Sequence, residues 1–220
     1  MTIYWKIVND VIVKADLLLI VLDARFVEST RNKEVESKVA SAGKPIIYVI
    51  TKCDLVDKET LEGSKKKLSP CVFVSSTDYH GLAMLKERIF VEGKRGRPSG
   101  CDVIVGVLGY PNTGKSSLIN AMTGRSAAST SKISGWTKSM KLIKSAEGIS
   151  FLDTPGVIPA AEGDKVEHGL MGAVDFSKVK DMDVLVGKMI VDNAGVIEKH
   201  YGVDYSEDSD ETVGAIALKN

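Results

Sequence analysis

Six consecutive aliphatic residues, Leu17-Leu18-Leu19-Ile20-Val21-Leu22, stop abruptly at Asp23. A strand that is apolar on both of its alternating sides has to be covered on both, so this run demands the interior of a parallel sheet with helices above and below it. The flanking residues supply that setting. Arg31 to Ala42 reads as a polar helix with Val35 and Val39 on one face, closed by Gly43 and Pro45, and Ile46 to Ile50 is the next buried strand. A lysine-rich helix from Lys58 to Lys67, a short strand from Cys71 to Val74 and a helix from Gly81 to Phe90 continue the alternation. The expected fold class is therefore α/β.

Val91 to Gly100 loses apolar periodicity in Glu-Gly-Lys-Arg-Gly-Arg-Pro-Ser-Gly and reads as an exposed linker. Val103 to Leu108 is again a buried strand, followed by a helix from Lys115 to Met122 and a Ser/Thr-rich loop from Arg125 to Ser139. Met140 to Lys144 and Ile149 to Leu152 form a hairpin-like pair. Beyond Pro159 the character changes. Val179, Met182, Val186 and Met189 make a helical stripe, and an acidic stretch from Glu207 to Glu211 precedes Val213, Ile216 and Leu218 at helical spacing. The organisation expected is a main domain over 1–160, with halves at 1–90 and 103–160 around a linker at 91–102, and an incomplete helical segment over 161–220.

Composition narrows the classes further. With 220 residues, 44% of them hydrophobic, there is enough apolar material for one full core and a smaller appendage. Lys and Arg total 29, as do Asp and Glu, so no whole-chain attraction to polyanions is implied. Cys53, Cys71 and Cys101 stand singly, without zinc or disulfide spacing, and no apolar run approaches the roughly 18 residues of a membrane span. A cytoplasmic, monomeric protein without membrane contact is the expectation. His80, His168 and His200 are isolated and read as surface or packing residues. Lys65-Lys66-Lys67 and Lys94-Arg95-Gly96-Arg97 read as solvated charge.

Gly109-Tyr110-Pro111-Asn112-Thr113-Gly114-Lys115-Ser116 fits G-x-x-x-x-G-K-[ST] between an apolar strand and a helix. Such a loop folds backbone N–H groups around phosphates at a helix N-terminus, where the dipole also favours anions. Thr113, Gly114, Lys115, Ser116 and Ser117 are thus candidate phosphate contacts. Lys115 would neutralise the β and γ phosphates of a nucleoside triphosphate, and the Ser116 hydroxyl would ligate Mg²⁺. Asp153-Thr154-Pro155-Gly156 ends the second strand of the hairpin, so Asp153 can reach a Mg²⁺ water and the Gly156 amide the γ phosphate. Thr137, in the intervening loop, is a candidate Mg²⁺ ligand; its alternative is a solvated loop hydroxyl.

Thr51-Lys52-Cys53-Asp54 and Val74-Ser75-Ser76-Thr77 follow two of the buried strands at their carboxyl ends, where open α/β sheets bind ligands. They resemble the N-K-x-D and S-A-K guanine-reading motifs of translation-factor-type GTPases. In that family the phosphate loop comes first; here it comes last. The sequence from Ala15 to Pro159 is thereby similar to the circularly permuted GTPases, most closely the YlqF/YawG group of ribosome-assembly factors. The resemblance implies a Ras-like P-loop three-layer sandwich with permuted strand order, a base-reading half over 1–90 and a phosphate-binding half over 103–160. It implies GTP and GDP as ligands, with Thr51, Lys52, Asp54, Ser75, Ser76 and Thr77 at the base. Asp54 would accept the N1 and N2 hydrogens of guanine, Lys52 would pack its stem along the base, and the Ser76 amide would donate to the guanine carbonyl oxygen.

Family resemblance also implies Lys115, Thr137 and Gly156 as catalytic groups, and a large ribosomal subunit with its rRNA as partner. It implies potassium as an activator held by Asn112; loop hydrogen bonding is the alternative for that residue. Thr51 replaces the usual Asn, weakening a contact to the base and loop, and Thr77 replaces a Lys. Val157 stands where many small GTPases carry the water-orienting Gln, so unassisted hydrolysis should be at or below the order of 10⁻³ per second. Three functions remain open from sequence: a GTP-hydrolysing switch in large-subunit assembly whose helical segment is the output, a guanine-nucleotide sensor with negligible turnover, and an ATP-using P-loop enzyme.

Overall fold

A computed structural model of the chain describes residues 3–93, 102–124, 128, 140–145, 148–156, 169–171 and 182–219. Two compact units result, Met1–Glu162 and Gly163–Asn220. Thr137, His168, most of the predicted 91–100 linker and nearly all of the Arg125–Ser139 loop lie outside the described residues.

The first unit is built on a six-stranded sheet in the order β3-β2-β1-β4-β6-β5. In chain order its elements are α1 (Ile3–Lys14), β1 (Leu17–Asp23), α2 (Lys33–Ser41), β2 (Ile46–Thr51), α3 (Lys58–Lys65), β3 (Cys71–Val74), α4 (Leu82–Gly93), β4 (Val103–Leu108), α5 (Lys115–Thr123), β5 (Lys141–Lys144) and β6 (Ile149–Asp153). Every neighbouring pair is parallel except β5 with β6 at the edge. Strand β1 is buried at all seven positions, as its unbroken apolar run requires.

Alternation along β1 divides the interior into two layers. Leu17, Leu19 and Val21 join Leu82, Leu85 and Ile89 of α4 and Leu118, Ile119 and Met122 of α5. Leu18, Ile20 and Leu22 face the opposite way and meet Val8, Val11 and Ile12 of α1, Val35 and Val39 of α2, and Leu61 of α3. The chain moves outward from β1 to β2 to β3 with α2 and α3 on one face. It returns to the other side of β1 with α4 and α5 on the opposite face. Right-handed crossovers taken in two directions require that division of helices, and they open a crevice between β1 and β4 at the carboxyl ends of the strands.

Helix α1 is not among the elements expected from sequence, although Val8, Val11, Ile12 and Ala15 sit at helical spacing and are all buried. Its C-terminal exit pins the central register: the Asp16 amide donates to the Ile104 carbonyl at 2.7 Å. The Ile104 amide donates to Asp16 Oδ2, also at 2.7 Å.

In the second unit, α6 (Met182–Asp192), α7 (Val196–Tyr201) and α8 (Ser209–Lys219) are all helical. The expected stripe is corrected in its register. Leu185 and Ile190 are the buried residues of α6, whereas Met189 is exposed. Apolar residues surround α6 on all sides, so periodicity alone could not choose the inward face. Val213 and Leu218 are likewise exposed, with Thr212 buried in their place.

Phe151 is fully buried in the layer shared by α4 and α5. Phe151→Ala should lower the unfolding free energy by about 3–5 kcal/mol, measured by urea titration of the whole chain. A loss under about 1 kcal/mol would mean that this layer is not packed as described.

Candidate nucleotide site

Because the strands β1, β2, β3, β4 and β6 run parallel, the residues that follow each of them emerge along one edge of the sheet. Asp23 ends β1, Thr51 ends β2, Ser75 follows β3, Gly109 follows β4 and Asp153 ends β6. Residues distant in sequence are thereby gathered without any special folding device.

The phosphate-loop string wraps from β4 to the first turn of α5. A side chain at Gly109 would place its Cβ 2.4 Å from the Val21 carbonyl oxygen, so only glycine lets the loop leave β4 this close to β1. Thr113 Oγ1 donates to the Tyr110 carbonyl at 2.9 Å. The Lys115 ammonium donates to the same oxygen. Lys115 is buried, and burial pulls its pKa down to about 8 against the opposing pull of Asp153.

Asp153 is 1% exposed, and burial raises its pKa while Lys115 and Ser116 work against the rise. Its Oδ2 lies 3.4 Å from the Ser116 hydroxyl. Its Oδ1 is buried without a hydrogen-bond partner. A buried carboxylate oxygen left unsatisfied beside a serine hydroxyl and a lysine fits the oxygen donor set of a hydrated Mg²⁺ next to phosphate. Thr154 anchors this turn through its hydroxyl, which donates to the Val107 carbonyl at 2.6 Å. A Cβ on Gly156 would sit 2.4 Å from Pro111 Cα and 2.6 Å from Pro111 N, so the turn after β6 lies directly against the phosphate loop.

The stretch after β2 meets the same loop from the other side. Thr51 Oγ1 lies 2.9 Å from the Leu22 carbonyl and 2.5 Å from the Thr113 carbonyl, and it donates its single proton to one of them at a time. Thr51, standing in place of the family's usual Asn, thus bonds to the loop. Lys52 Nζ donates to the Asn112 carbonyl at 2.8 Å and to Asp23 Oδ2 at 2.6 Å. Both partners of the first bond are non-glycine residues in the left-handed region, Lys52 at φ 58° and Asn112 at φ 59°.

Asp54 is exposed two residues on, in a single 3-10 turn. Together with Ser75, Cys53, Asp78 and His80 it lines a cavity of about 410 Å³. Within the loop after β3, Ser75 Oγ and Thr77 Oγ1 are 2.9 Å apart, and the Asp78 amide donates to Ser75 Oγ at 3.1 Å. These bonds shape the loop itself, leaving Ser76 half-buried and Thr77 exposed. Ser117 is exposed on the first turn of α5. Sequence reading missed Asp23 and Arg25. Their signal was a carboxylate closing a wholly apolar strand with a guanidinium two residues later.

Comparison with known proteins identifies the family to which such a chain is similar. Residues 104–215 match the family described as 50S ribosome-binding GTPase. An uncharacterized GTP-binding protein of Methanocaldococcus jannaschii is 39% identical over 97% of this chain and 58% of its own length. Nucleolar GTP-binding protein 2 of Saccharomyces cerevisiae is 30% identical over 98% of this chain and 46% of its own length. The chain thus spans about half the length of these curated relatives. Among solved structures, GNP-bound YlqF from T. maritima aligns with a TM-score of 0.58 at 21% identity, over 92% of this chain and 78% of that one, a likeness of fold. Among the described residues no helix is long and apolar enough to cross a membrane.

Gly156→Ala should destabilise the chain by about 1–3 kcal/mol, because the methyl meets Pro111 backbone that cannot swing aside. Chemical denaturation monitored by tryptophan fluorescence would measure it. An unchanged midpoint would separate this turn from the loop.

Proposed function

Since the chain belongs to the family of 50S ribosome-binding GTPases, we propose that it binds and hydrolyses GTP as a switch in assembly of the large ribosomal subunit. The observation that carries this reading is a pair of hydrogen bonds. Thr51 and Lys52, from the base-reading stretch, bond to the Thr113 and Asn112 carbonyls of the phosphate loop, 62 and 60 residues away. One ligand with a purine at one end and phosphates at the other fits a groove organised in that way.

Within it, Asp54 accepts the N1 and N2 hydrogens of guanine, the Lys52 stem covers one face of the base and the Ser76 amide meets its carbonyl oxygen. Ser75 and Thr77 hold the loop that presents Ser76, and Thr51 acts as a strut rather than as a base contact. The amides of Asn112 to Ser117 and the ammonium of Lys115 neutralise phosphate oxygens where charge develops on transfer to water. Ser116 and Asp153, with Thr137 as a further ligand, would hold Mg²⁺, which would supply charge neutralisation to the phosphates. Gly156 offers its amide to the γ phosphate, and the chain runs on from it into the helical segment, which we take as the output of the switch.

Val157, where a glutamine would orient water, makes unassisted turnover slow. Potassium held at Asn112 and contact with a large ribosomal subunit and its rRNA supply the missing stabilisation. The same valine favours one second reading, a guanine-nucleotide sensor with negligible turnover.

Asp54→Asn should weaken GTP binding by about 1.5–3 kcal/mol, or roughly 10–150-fold, in fluorescent-nucleotide titration, because a charged hydrogen bond is lost. Unaltered GTP affinity would refute the base assignment. Large subunits added to the protein in potassium buffer should raise phosphate release at least about tenfold over the protein alone in sodium. Equal rates in all four combinations of salt and subunit would favour the sensor.

A further inference from the structure

One strongly bonded carboxylate near the groove has no part in the reading above. Asp23 closes β1 and is 2% exposed. Its Oδ1 accepts from the Arg25 amide and from Arg25 Nε, each at 3.0 Å. Its Oδ2 accepts from an Arg25 terminal nitrogen at 2.8 Å and from Lys52 Nζ at 2.6 Å. Four donors thus surround one buried carboxylate, three of them on the cationic side chains of Arg25 and Lys52.

We propose that Asp23 is a positioning residue for the nucleotide site, acting through the ammonium of Lys52. Lys52 occupies the left-handed region, which is strained for a non-glycine residue and persists only where surroundings over-determine it. Two groups fix the far end of its side chain: the Asn112 carbonyl on the phosphate loop and Asp23 on β1. The bond to the Asn112 carbonyl has one ionised partner, whereas the bond to the buried Asp23 carboxylate at 2.6 Å has two and is an ion pair as well.

Asp23 in turn cannot rotate away, because Arg25 holds both of its oxygens. Burial pushes the Asp23 pKa up, but Arg25 and Lys52 together bring it below the ordinary carboxylate value, so the bond is ionic at neutral pH. The Lys52 ammonium is thereby held between β1 and the phosphate loop, and a stem fixed at both ends is positioned for contact with a purine.

Asp23→Asn tests this with little change of volume. An amide turned to accept from Arg25 presents its NH₂ to the Lys52 ammonium, donor against donor, and the stem is released. The inference rests on Lys52 as a base contact, so the experiment is a double-mutant cycle with Lys52→Met, which keeps the stem and removes the ammonium. Dissociation of fluorescent GDP is followed by stopped flow, and thermal melts establish that each variant is folded.

Expected is an acceleration on the order of tenfold for Asp23→Asn, a similar one for Lys52→Met, and no further acceleration in the double variant. Asp23→Asn with the wild-type rate, or effects that multiply in the double variant, would overturn the positioning role and leave the base assignment standing. A wild-type rate in Lys52→Met would overturn the proposal while sparing the base contact, since the stem would then serve without a held ammonium. Should Asp23→Asn fail to fold, Arg25→Ala replaces it in the cycle. It frees Asp23 to swing, and it should accelerate dissociation only where Lys52 is present.

Discussion

The pairing of β1 with β4 is the constraint on which the molecule depends. Residues Leu17 to Ile20 lie in parallel register with Val105 to Leu108. That register is fixed at its amino end by the reciprocal bonds between Asp16 and Ile104, which are 88 residues apart in the chain. Shift it by one residue and Leu18, Ile20 and Leu22 would exchange layers with Leu19 and Val21, undoing both halves of the core. At its carboxyl end the same pairing brings Asp23 level with the phosphate loop, and the short bonds from Thr51 and Lys52 become reachable. Packing at one end of two strands thus sets polar geometry at the other.

Permuted connection leaves this physics untouched. A parallel sheet requires strands in the right neighbourhood and helices on both faces, and it is indifferent to which loop carries the break. In this chain α1 precedes the first strand and seals the face over β4, as its contacts through Val8, Val11 and Ile12 with that layer indicate. The order of motifs along the sequence therefore carries information about relatedness, whereas their place in space follows from strand direction.

Much of this was legible in the sequence. Continuous apolar runs identified β1, β2 and β4 because burial on both faces, complete in β1 and nearly so in the other two, leaves no polar side to confuse the reading. The phosphate loop and Asp153 were legible because each ends a buried strand in a short polar string. Helix α1 was overlooked although its spacing is plain. Asp23 was overlooked for a different reason: its partner Lys52, 29 residues on, becomes one only when β1 and β2 lie side by side. The inward face of α6 was illegible in principle, since Val184, Leu185, Met189 and Ile190 offer apolar groups in every direction.

The long separation between β1 and β4 also has a temporal meaning. Synthesis delivers α1, β1, β2 and β3 first, so β1 leaves the ribosome tunnel with one flank lacking its hydrogen-bonding neighbour until β4 has been translated. Until then three apolar strands form an open-edged half-sheet, the kind of surface that recruits stray strands or chaperones. Closing that gap is a non-local event, slow by the loop entropy it must overcome. Completion of the groove and burial of the edge are consequently a single step, and a newborn chain cannot grip its ligand from both ends before it has ceased to be sticky.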